Sequence, residues 1–385
     1  MPENWIVGPI FSGVPSLCRH AFFTFDSISS SKEPSVNRIN RYVLFTFLRY
    51  LLVVAAAILA IFTVLDFLGH GDEISSASET MEGVSGQVFY FYLLNLPFLW
   101  VQFAPYLTLI AGMMTVLHFA RKREWTPMLS AGASSFRVLA PVFAGAILAA
   151  LFSVFLRELL LPNLAAPREG IQRRVFHQRD WALVDLTVRT QDDHRLLLRR
   201  YDPEKEQIFG LELFSFDSEG NDQLLQADFA EWKEGHWVLG KGRQVRAGQS
   251  ETPVEYLSHP ELKPEDFLRS YFSAVSPLEL SSGQLKEVLA RDSGHRQAET
   301  LLWAWRAAPF VHLILLFVGL PFVFRFSRRS SMEGFGFGIF SCMLFFVAEI
   351  VFRDFGSRGA LSPALAGTGA LLLYACVGLM LPRRS

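Results

Sequence analysis

The feature that most constrains this chain is a series of long apolar runs separated by short polar segments. The first run contains residues 51–65, LLVVAAAILAIFTVL, which include no charged side chain. An α-helix needs about 20 such residues to cross the hydrocarbon core of a bilayer. Six runs reach this length, and we predict an α-helical membrane protein with transmembrane helices at about 43–68, 91–119, 137–161, 307–326, 335–352 and 363–381.

The charged side chains are concentrated between the third and fourth runs. Residues 162–299 contain 18 Lys or Arg and 24 Asp or Glu, which is 42 of the 73 charged residues in the chain. Such a split indicates a water-exposed domain inserted into a membrane protein. The net charge of −1 argues against a nucleic-acid binder, which would usually be basic. We divide the chain into a tail (1–40), helices one to three (41–161), the polar domain (162–299) and helices four to six (300–385).

Lysine and arginine in the short loops predict the orientation, because cytoplasmic loops carry an excess of these residues. Four alternate segments are basic, with Lys32, Arg38, Arg41, Arg121, Lys122, Arg123, Arg137, Arg325, Arg328, Arg329, Arg383 and Arg384. The loop after the first run is acidic, and only Arg353 and Arg358 after the fifth run depart from the rule. Both termini are therefore expected in the cytoplasm and the polar domain outside it. Residues 1–40 lack the pattern of a secretory signal peptide and are expected to form a cytoplasmic tail.

The polar domain has the pattern of β-strands separated by turns at about 12-residue spacing. Four alternating segments fit it, at 194–201, 207–217, 224–232 and 237–248. Gly240 and Gly242 inside the last of them indicate a bulge or a strong bend. We expect an all-β domain with an antiparallel sandwich, jelly roll or open barrel, summarised as a jelly-roll-like antiparallel sheet.

A helix is expected only near the end of the polar domain. Between about residues 176 and 275 the pattern is that of strands. The segment 276–291 then predicts a short helix, with Ser276 as the N-cap and Pro277 at the first helical position.

No pattern of a catalytic, metal or nucleotide site appears in the sequence. The three cysteines, Cys18, Cys342 and Cys376, lie outside the polar domain and have no zinc-site spacing with histidine. Gly-Lys-Gly at 240–242 lacks the spacing of a phosphate-binding loop and the helix that would follow it. We expect a chain that is not an enzyme by itself and holds no cofactor or metal.

Four stretches of this layout resemble the lipopolysaccharide-export permeases of Gram-negative bacteria, the LptF/LptG family. They are RYVLFTFLRYLLVVAAAILAIFTVLDFL (41–68), FYLLNLPFLWVQFAPYLTLIAGMM (91–114), KREWTPMLSAGASSFRVLAP (122–141) and ADFAEWKEGHWVLGKGR (227–243). The resemblance covers about residues 38–384. The third stretch is the most specific, since charge, helix and Ala-Gly-x-Ser fall together between two transmembrane helices. The second favours an LptG-like chain slightly.

The resemblance implies a transmembrane subunit of an ATP-driven exporter in the bacterial inner membrane. Two permeases of this family pair over a dimer of a separate ATPase, LptB, which binds the ATP and Mg²⁺. They take lipopolysaccharide from the outer leaflet of the inner membrane and pass it to periplasmic β-jellyroll proteins of the LptC and LptA type. The expected partners of this chain are therefore an LptB-like ATPase dimer, a second permease, such a bridge and lipopolysaccharide. Nucleic acid is not among them.

The segment at about 123–131 would be the coupling helix that docks in a groove of the ATPase. The residues expected to carry this contact are Glu124, Trp125, Pro127, Met128 and Leu129. A carboxylate at the N-terminal end of a helix complements its dipole, and apolar residues at i, i+3 and i+4 form one face that fits a groove. The alternative is an interfacial helix that only joins two transmembrane helices.

The family's lateral gates are formed by the first and fifth transmembrane helices. The residues expected here to touch acyl chains are Phe62, Leu65, Phe67, Phe335, Phe337 and Phe340. Ordinary helix packing or lipid contact is an equally good interpretation for any one of them.

Where the family has basic residues near the outer end of the first helix, this chain has acidic ones and a histidine: Asp66, His70, Asp72 and Glu73. Contacts to phosphate are therefore expected from Arg353, Arg358, Arg157 or Arg306, because guanidinium groups suit phosphate. Arg353 could instead pair with Glu349, four residues earlier.

Two other classes of function stay open at this stage. A secondary transporter would place ionisable residues near the middle of the bilayer, whereas the charges here crowd the helix ends. A membrane-anchored envelope scaffold or sensor would need no cytoplasmic helix shaped for a groove.

Overall fold

The structure, a computed structural model, describes residues 34–130, 135–190, 194–216, 222–246, 251–257, 259, 262–292, 294–326 and 331–380. Its helices in chain order are α1 (Pro34–Gly69), α2 (Gly71–Thr80), α3 (Val84–Arg121), α4 (Trp125–Ser130), α5 (Ser135–Phe155), α6 (Leu161–Ile171), α7 (Pro264–Val275), α8 (Ser282–Arg291), α9 (Arg296–Phe326), α10 (Ser331–Ser357) and α11 (Pro363–Met380). Six spans within this part of the chain are long and apolar enough to cross a membrane, in α1, α3, α5 with α6, α9, α10 and α11. The prediction of a six-helix membrane protein is confirmed.

The third transmembrane helix is longer than its apolar run. From α5 it continues into α6 through a π-helical turn (Leu156–Leu160) and ends in a second one (Gln172–Phe176). The expected boundary of the polar domain at residue 162 falls inside this helix. Its charged outer part has partners: Arg168 pairs with Glu279, and the Tyr271 hydroxyl donates a 2.8 Å hydrogen bond to Glu169. These contacts explain why a helix continues where hydropathy alone places a polar domain.

Helix α3 forms the centre of the bundle. In its most apolar stretch 61% of the residues are buried, against 11% in α1 and 22% in α10. It packs against α1, α5, α9 and α10, and its Leu107, Leu109 and Met113 are fully buried in the bundle core. Helices α1 and α10, like α11 with 22% of its most apolar stretch buried, therefore lie at the margin of the bundle and leave most of their apolar surface uncovered.

The polar domain contains one six-stranded antiparallel sheet, which confirms the predicted antiparallel β domain. Its strands are β1 (Leu183–Arg189), β2 (Arg195–Asp202), β3 (Gln207–Phe216), β4 (Asp222–Lys233), β5 (His236–Arg246) and β6 (Thr252–Tyr256). Each strand pairs with the next in chain order. The sheet is irregular between Val238 and Gly242, where a Cβ on Gly242 would lie 2.2 Å from the Val254 carbonyl oxygen. An irregularity thus lies where Gly240 and Gly242 predicted a bulge or a strong bend.

Two helices pack against the sheet; the first was not predicted, and the second was predicted but starts later than expected. Helix α7 lies where only strands were expected. Its Phe267 and Tyr271 recur at helical spacing and are buried in the domain core, which stabilises it as a helix. Helix α8 begins at Ser282 and not near Pro277, because Ser281 and Gln284 form a capping box with hydrogen bonds of 3.2 and 3.0 Å. Residues Pro277–Glu279 form only a 3₁₀ turn.

Candidate functional site

A tight turn joins α3 to α4. The Arg123 N–H donates to the Ala120 carbonyl at 3.2 Å, and the Glu124 N–H donates to the Phe119 carbonyl at 3.0 Å. These two bonds make a Schellman motif, in which the residue after the helix adopts the left-handed conformation. That residue is Arg123, with φ of 56°. The turn reverses the chain sharply and places Glu124 at the start of α4.

The expected coupling residues are divided between the surface and the bundle core. Pro127 is exposed, and Glu124 is half-buried and accepts a 3.1 Å hydrogen bond from the Tyr42 hydroxyl. Trp125 and Met128 are half-buried and pack against the bundle core. The Leu129 side chain and residue 131 lie outside what the structure describes. The assignment of this segment to coupling stays a prediction, and in this structure the apolar face at Trp125 and Met128 is turned towards the bundle.

Helices α1 and α10 contact one face of α3. The Phe62 ring of α1 lies 4.5 Å from the Phe103 ring, and the Tyr106 ring lies 5.8 Å from the Phe346 ring of α10. Phe103 and Tyr106 are three residues apart and so share a face of α3. This face of α3 is thus flanked by α1 on one side and by α10 on the other.

Five of the six residues expected at the lateral gates have exposed side chains: Phe62, Leu65, Phe67, Phe337 and Phe340. Phe335 differs, since it is half-buried against the bundle core. An apolar cavity of about 530 Å³ lies beside Phe67, between the C-terminal half of α1, α2 and the start of α3. Exposed apolar side chains next to an apolar cavity suit contact with acyl chains, and the gate assignment stays a prediction.

Asp66 and His70, at the C-terminal end of α1, have partners within the chain. The Tyr92 hydroxyl donates a 3.0 Å hydrogen bond to Asp66, and His70 Nδ1 lies 2.9 Å from the Asp66 carbonyl oxygen. The His70 ring also contacts the Phe176 ring at 5.0 Å. This end of α1 is thus fixed against α3 and the end of the third transmembrane helix.

Two of the four arginines that were expected to contact phosphate, Arg157 and Arg353, lie next to the same aromatic ring. The guanidinium carbons of Arg157 and Arg353 lie 4.2 and 5.6 Å from the centroid of the Trp305 ring. Arg353 also pairs with Glu349, which is the alternative partner predicted from their spacing of four residues. Glu349 in turn accepts a 3.0 Å hydrogen bond from the Tyr106 hydroxyl. Trp305 and Tyr106 could not be assigned to this cluster from sequence, because the contacts join four different helices.

The other two arginines lie apart from this cluster. Arg306 is exposed and stacks on Trp303, with 4.8 Å from the guanidinium carbon to the ring centroid. Arg358 is exposed and pairs with Asp354 at 3.0 Å. These local partners are those that i, i+3 and i, i+4 spacing provides on a helix.

The sheet domain is attached to the bundle by buried polar contacts. Glu158 accepts hydrogen bonds from the Ser282 N–H at 3.0 Å and from the Ser282 hydroxyl at 2.6 Å, at the start of α8. Arg168 pairs with Glu279, and burial raises the pKa of that carboxyl to about 7 although the arginine opposes the shift. The Trp305 indole N–H donates to the Leu280 carbonyl at 3.2 Å. The domain is thus held directly on the third and fourth transmembrane helices.

Within the described residues, no group of three or more His, Cys, Asp or Glu side chains could hold a metal ion. A family model described as lipopolysaccharide export system permease LptF/LptG matches residues 41–384. The chain belongs to the LptF/LptG permease family. No curated protein matches the chain significantly. Membership in the LptF/LptG family confirms the resemblance seen in the four sequence stretches and makes this chain a multi-pass permease of lipopolysaccharide export.

Proposed function

We propose that this LptF/LptG family chain is one of two permeases in an ATP-driven exporter that extracts lipopolysaccharide from the inner membrane. The observation that carries the proposal is the family match over residues 41–384 on a six-helix bundle with an attached β-sheet domain. The basic loops favour cytoplasmic termini and a periplasmic sheet domain. ATP and Mg²⁺ bind to a partner ATPase, and this chain supplies the path for the lipid.

Coupling to the ATPase takes place at the turn between α3 and α4. This turn contains three exposed basic residues, Arg121, Lys122 and Arg123. Next to them, Glu124 provides a carboxylate and Pro127 a backbone with a fixed φ angle. Movement of this turn reaches α1 through Tyr42, whose hydroxyl bonds to Glu124. Closure of the ATPase dimer would thereby shift α1 against α3 and narrow the lipid path. We also propose that the chain is the LptG-like member of the permease pair.

The lipid enters between the margin helices of two permeases. Uncovered apolar surface on α1 and α10 supports this, since only 11% and 22% of their most apolar stretches are buried within one chain. In a bilayer such surfaces face either lipid or another protein. A second permease that offers the same two helices would close a cavity lined by both chains.

The sheet passes the lipid on through one of its edges. Strand β6 is a short edge strand with mostly exposed residues. At the opposite edge, Ser270 of α7 donates a 3.1 Å hydrogen bond to the Thr187 carbonyl of β1. An unpaired edge is a template for a strand of another protein. We therefore assign the contact with an LptC- or LptA-like bridge to β6.

Co-purification from native membranes tests the proposal. Wild-type chain is expected to bring down an ATPase, a second permease and lipopolysaccharide. The variant Glu124→Arg is expected to lose most of the ATPase and keep the second permease, because it reverses the charge at the contact. Glu82→Arg makes the same charge change at an exposed position between α2 and α3 and should keep both. Unchanged recovery of the ATPase with Glu124→Arg would overturn the coupling assignment, and transport driven by an ion gradient would favour a secondary transporter.

A further inference from the structure

The apolar cavity beside the C-terminal end of α1 has the size of a single lipid chain. Phe89 and Leu93, which line it on α3, are exposed, so the cavity opens on the surface of the bundle that faces the bilayer. A cavity of roughly 150 Å³ holds a six-carbon ring, so one of about 530 Å³ holds roughly 20 carbon atoms. That is the size of one acyl chain and not of several.

The wall of the cavity contains a buried hydroxyl group. Thr63 lines the cavity, and its Oγ1 is buried without a hydrogen-bond partner among the described residues. A helical threonine commonly donates to the carbonyl oxygen four residues earlier, as Thr46 does to Tyr42 at 2.8 Å in the same helix. A buried donor without a partner is unfavourable, so an acceptor inside the cavity would stabilise it. Hydrocarbon offers none, whereas the ester group at the head of an acyl chain offers a carbonyl oxygen.

The junction between α1 and α2 places carboxylates along the edge of the cavity. The His70 N–H donates to the Asp66 carbonyl at 3.1 Å, and the Ile74 N–H donates to the His70 carbonyl at 3.0 Å. Helical hydrogen bonding thus continues across the junction, and residues seven apart share a face. Phe67 and Ile74 line the cavity with one such face. Asp66 and Glu73, each one position earlier, lie beside it.

The edge of the cavity has a negative charge. Residues 50–120 include five Asp or Glu and no Lys or Arg. His70 lies 3.7 Å from the Asp66 carboxylate and can balance only that one charge. Two arginines in the segment packed against α2, residues Gln172–Phe176, already have carboxylate partners: Arg173 pairs with Glu169 and Arg174 with Glu204. A lipid head group that carries a cation is therefore favoured at this edge.

The hydroxyl and the carboxylates are spaced as the parts of one glycerophospholipid. Asp66 lies three residues after Thr63, and Glu73 lies ten residues after it. These separations correspond to about 4.5 and 15 Å along a helix axis. The spacing leaves room for the phosphoglycerol part of a head group between an ester bound at Thr63 and a cation bound at Glu73.

We propose that this cavity binds one acyl chain of a phospholipid whose head group ends in an ammonium group, of the phosphatidylethanolamine type. The Thr63 hydroxyl donates to the ester carbonyl of that chain, and Asp66 and Glu73 accept hydrogen bonds from the ammonium group. Such charge-assisted bonds are about twice as strong as neutral ones. The lipid is a resident of the site and not the transported one, because an anionic head group with several chains fits neither the charge nor the volume. The site does not rest on the proposed function.

Photolabelling of the full chain, purified with its partner subunits, tests the site. Two probes carry the same photoactivatable acyl chain, one on phosphatidylethanolamine and the other on phosphatidylglycerol. Each is present at the same fraction in phosphatidylcholine vesicles, and labelled peptides are identified by mass spectrometry. We expect phosphatidylethanolamine to label residues 85–96 about tenfold more than phosphatidylglycerol, because only its ammonium group pairs with carboxylates.

Removal of the carboxylates should abolish this preference. In the double variant Asp66→Asn with Glu73→Gln the side chains keep their shape, and the Asn oxygen can still accept the bond from Tyr92. Its labelling by the two probes should agree within about twofold. Glu333→Gln, an exposed position at the opposite end of the bundle, is the control and should keep the preference. Thr63→Val removes only the hydroxyl and should lower labelling by both probes about threefold.

The comparison of the two probes on wild type needs no variant to fold. Equal labelling of residues 85–96 by both would overturn the proposal. Displacement of the phosphatidylethanolamine probe by added lipopolysaccharide would do the same and would assign the cavity to the transported lipid. Absence of labelling by either probe would mean that a partner subunit covers the cavity, which also contradicts the proposal. Recovery of the ATPase is measured separately, so failure of this site and failure of the proposed function are distinguished.

Discussion

The Tyr42 hydroxyl donates a hydrogen bond of 3.1 Å to the Glu124 carboxylate and so ties α1 to the start of α4. The Tyr42 ring also contacts the Phe119 ring, with 5.7 Å between centroids. About two turns further along α1, the Tyr50 hydroxyl lies 2.8 Å from His118 Nδ1. The least buried transmembrane helix is thus joined at one end to the turn that the proposed ATPase would move.

Removal of the Tyr42 hydroxyl should loosen this connection without disturbing the packing. In Tyr42→Phe the contact with Phe119 is kept and the bond to Glu124 is lost. An exposed hydrogen bond of this kind contributes roughly 0.5–1 kcal/mol. We expect ATPase recovery within about twofold of wild type and lipid transport lowered about two- to fivefold, measured as lipopolysaccharide release per ATP hydrolysed.

Tyr90→Phe provides the control for that change. Tyr90 is exposed on α3 near its opposite end, so loss of its hydroxyl leaves the α1–α4 connection intact. If Tyr42→Phe and Tyr90→Phe release the same amount of lipopolysaccharide per ATP hydrolysed, the hydrogen bond between Tyr42 and Glu124 does not transmit movement from the turn to α1.

Glu279 should make the stability of the sheet attachment depend on pH. Burial raises its pKa to about 7 from an ordinary value of 4.5. A raised pKa in the folded state means that the contribution of this group to stability is present at low pH and is lost as pH rises through about 7. Between pH 5.5 and 8.5 wild type should lose about 2 kcal/mol from this group.

Glu279→Gln removes that titration. The difference in melting temperature between the variant and wild type should therefore change between pH 5.5 and 8.5, in favour of the variant at high pH. The change with pH is the measured quantity, since loss of the pair with Arg168 adds a shift of its own. Glu255→Gln, on the exposed strand β6, should show no such change. A pH-independent difference for Glu279→Gln would contradict the expectation.

The sequence predicted the bundle well and the polar domain in part. Long apolar runs define transmembrane helices because nothing else satisfies their backbone in lipid. Strands β1 and β6 were missed because both are short edge strands, and edges need not alternate clearly. Helix α7 was missed because Phe267 and Tyr271, four residues apart, fit one face of a strand as well as one face of a helix until their packing is known.

Contacts between distant residues were the part that sequence could not supply. Arg157 was selected as a cation at a helix end, but its burial on Trp305 depends on how α5 and α9 pack. Glu349 and Arg353 could be paired from their spacing of four residues. Trp125 and Met128 were expected to face a groove outside the chain, and the turn at Arg123 determines that they pack against the bundle.

Glu158 should hold α8 in place. Its carboxylate accepts two hydrogen bonds from Ser282, at the N-terminal end of the helix, where a negative charge also complements the dipole. We expect Glu158→Ala to destabilise this helix by about 1–2 kcal/mol. Hydrogen exchange of amides 282–291 should accelerate accordingly. Glu79→Ala, at an exposed position of α2, is the control, and protection of α8 equal to the control would show that Glu158 is dispensable.

Gly367 lies at a close crossing of α11 and α9. A Cβ at this position would lie 2.6 Å from the Thr300 carbonyl oxygen and 2.7 Å from the Ala304 amide nitrogen. Both are backbone atoms of α9, which cannot move aside as a flexible side chain would. Small residues at such crossings allow backbones to pack closely in a membrane. Gly367→Ala should therefore push the two helices apart and destabilise the bundle by about 1–3 kcal/mol.

Gly336→Ala gives the matched comparison, since a Cβ there meets nothing within 4 Å. Alanine has the better helix propensity, so this variant should be as stable as wild type or slightly more stable. Thermal unfolding of both variants in the same detergent measures the difference. A lower melting temperature for Gly367→Ala alone follows from the close crossing of α9 and α11. Equal melting temperatures would mean that the crossing can widen freely, and the attachment of the sheet domain through Trp305 of α9 would then rest on a less rigid support.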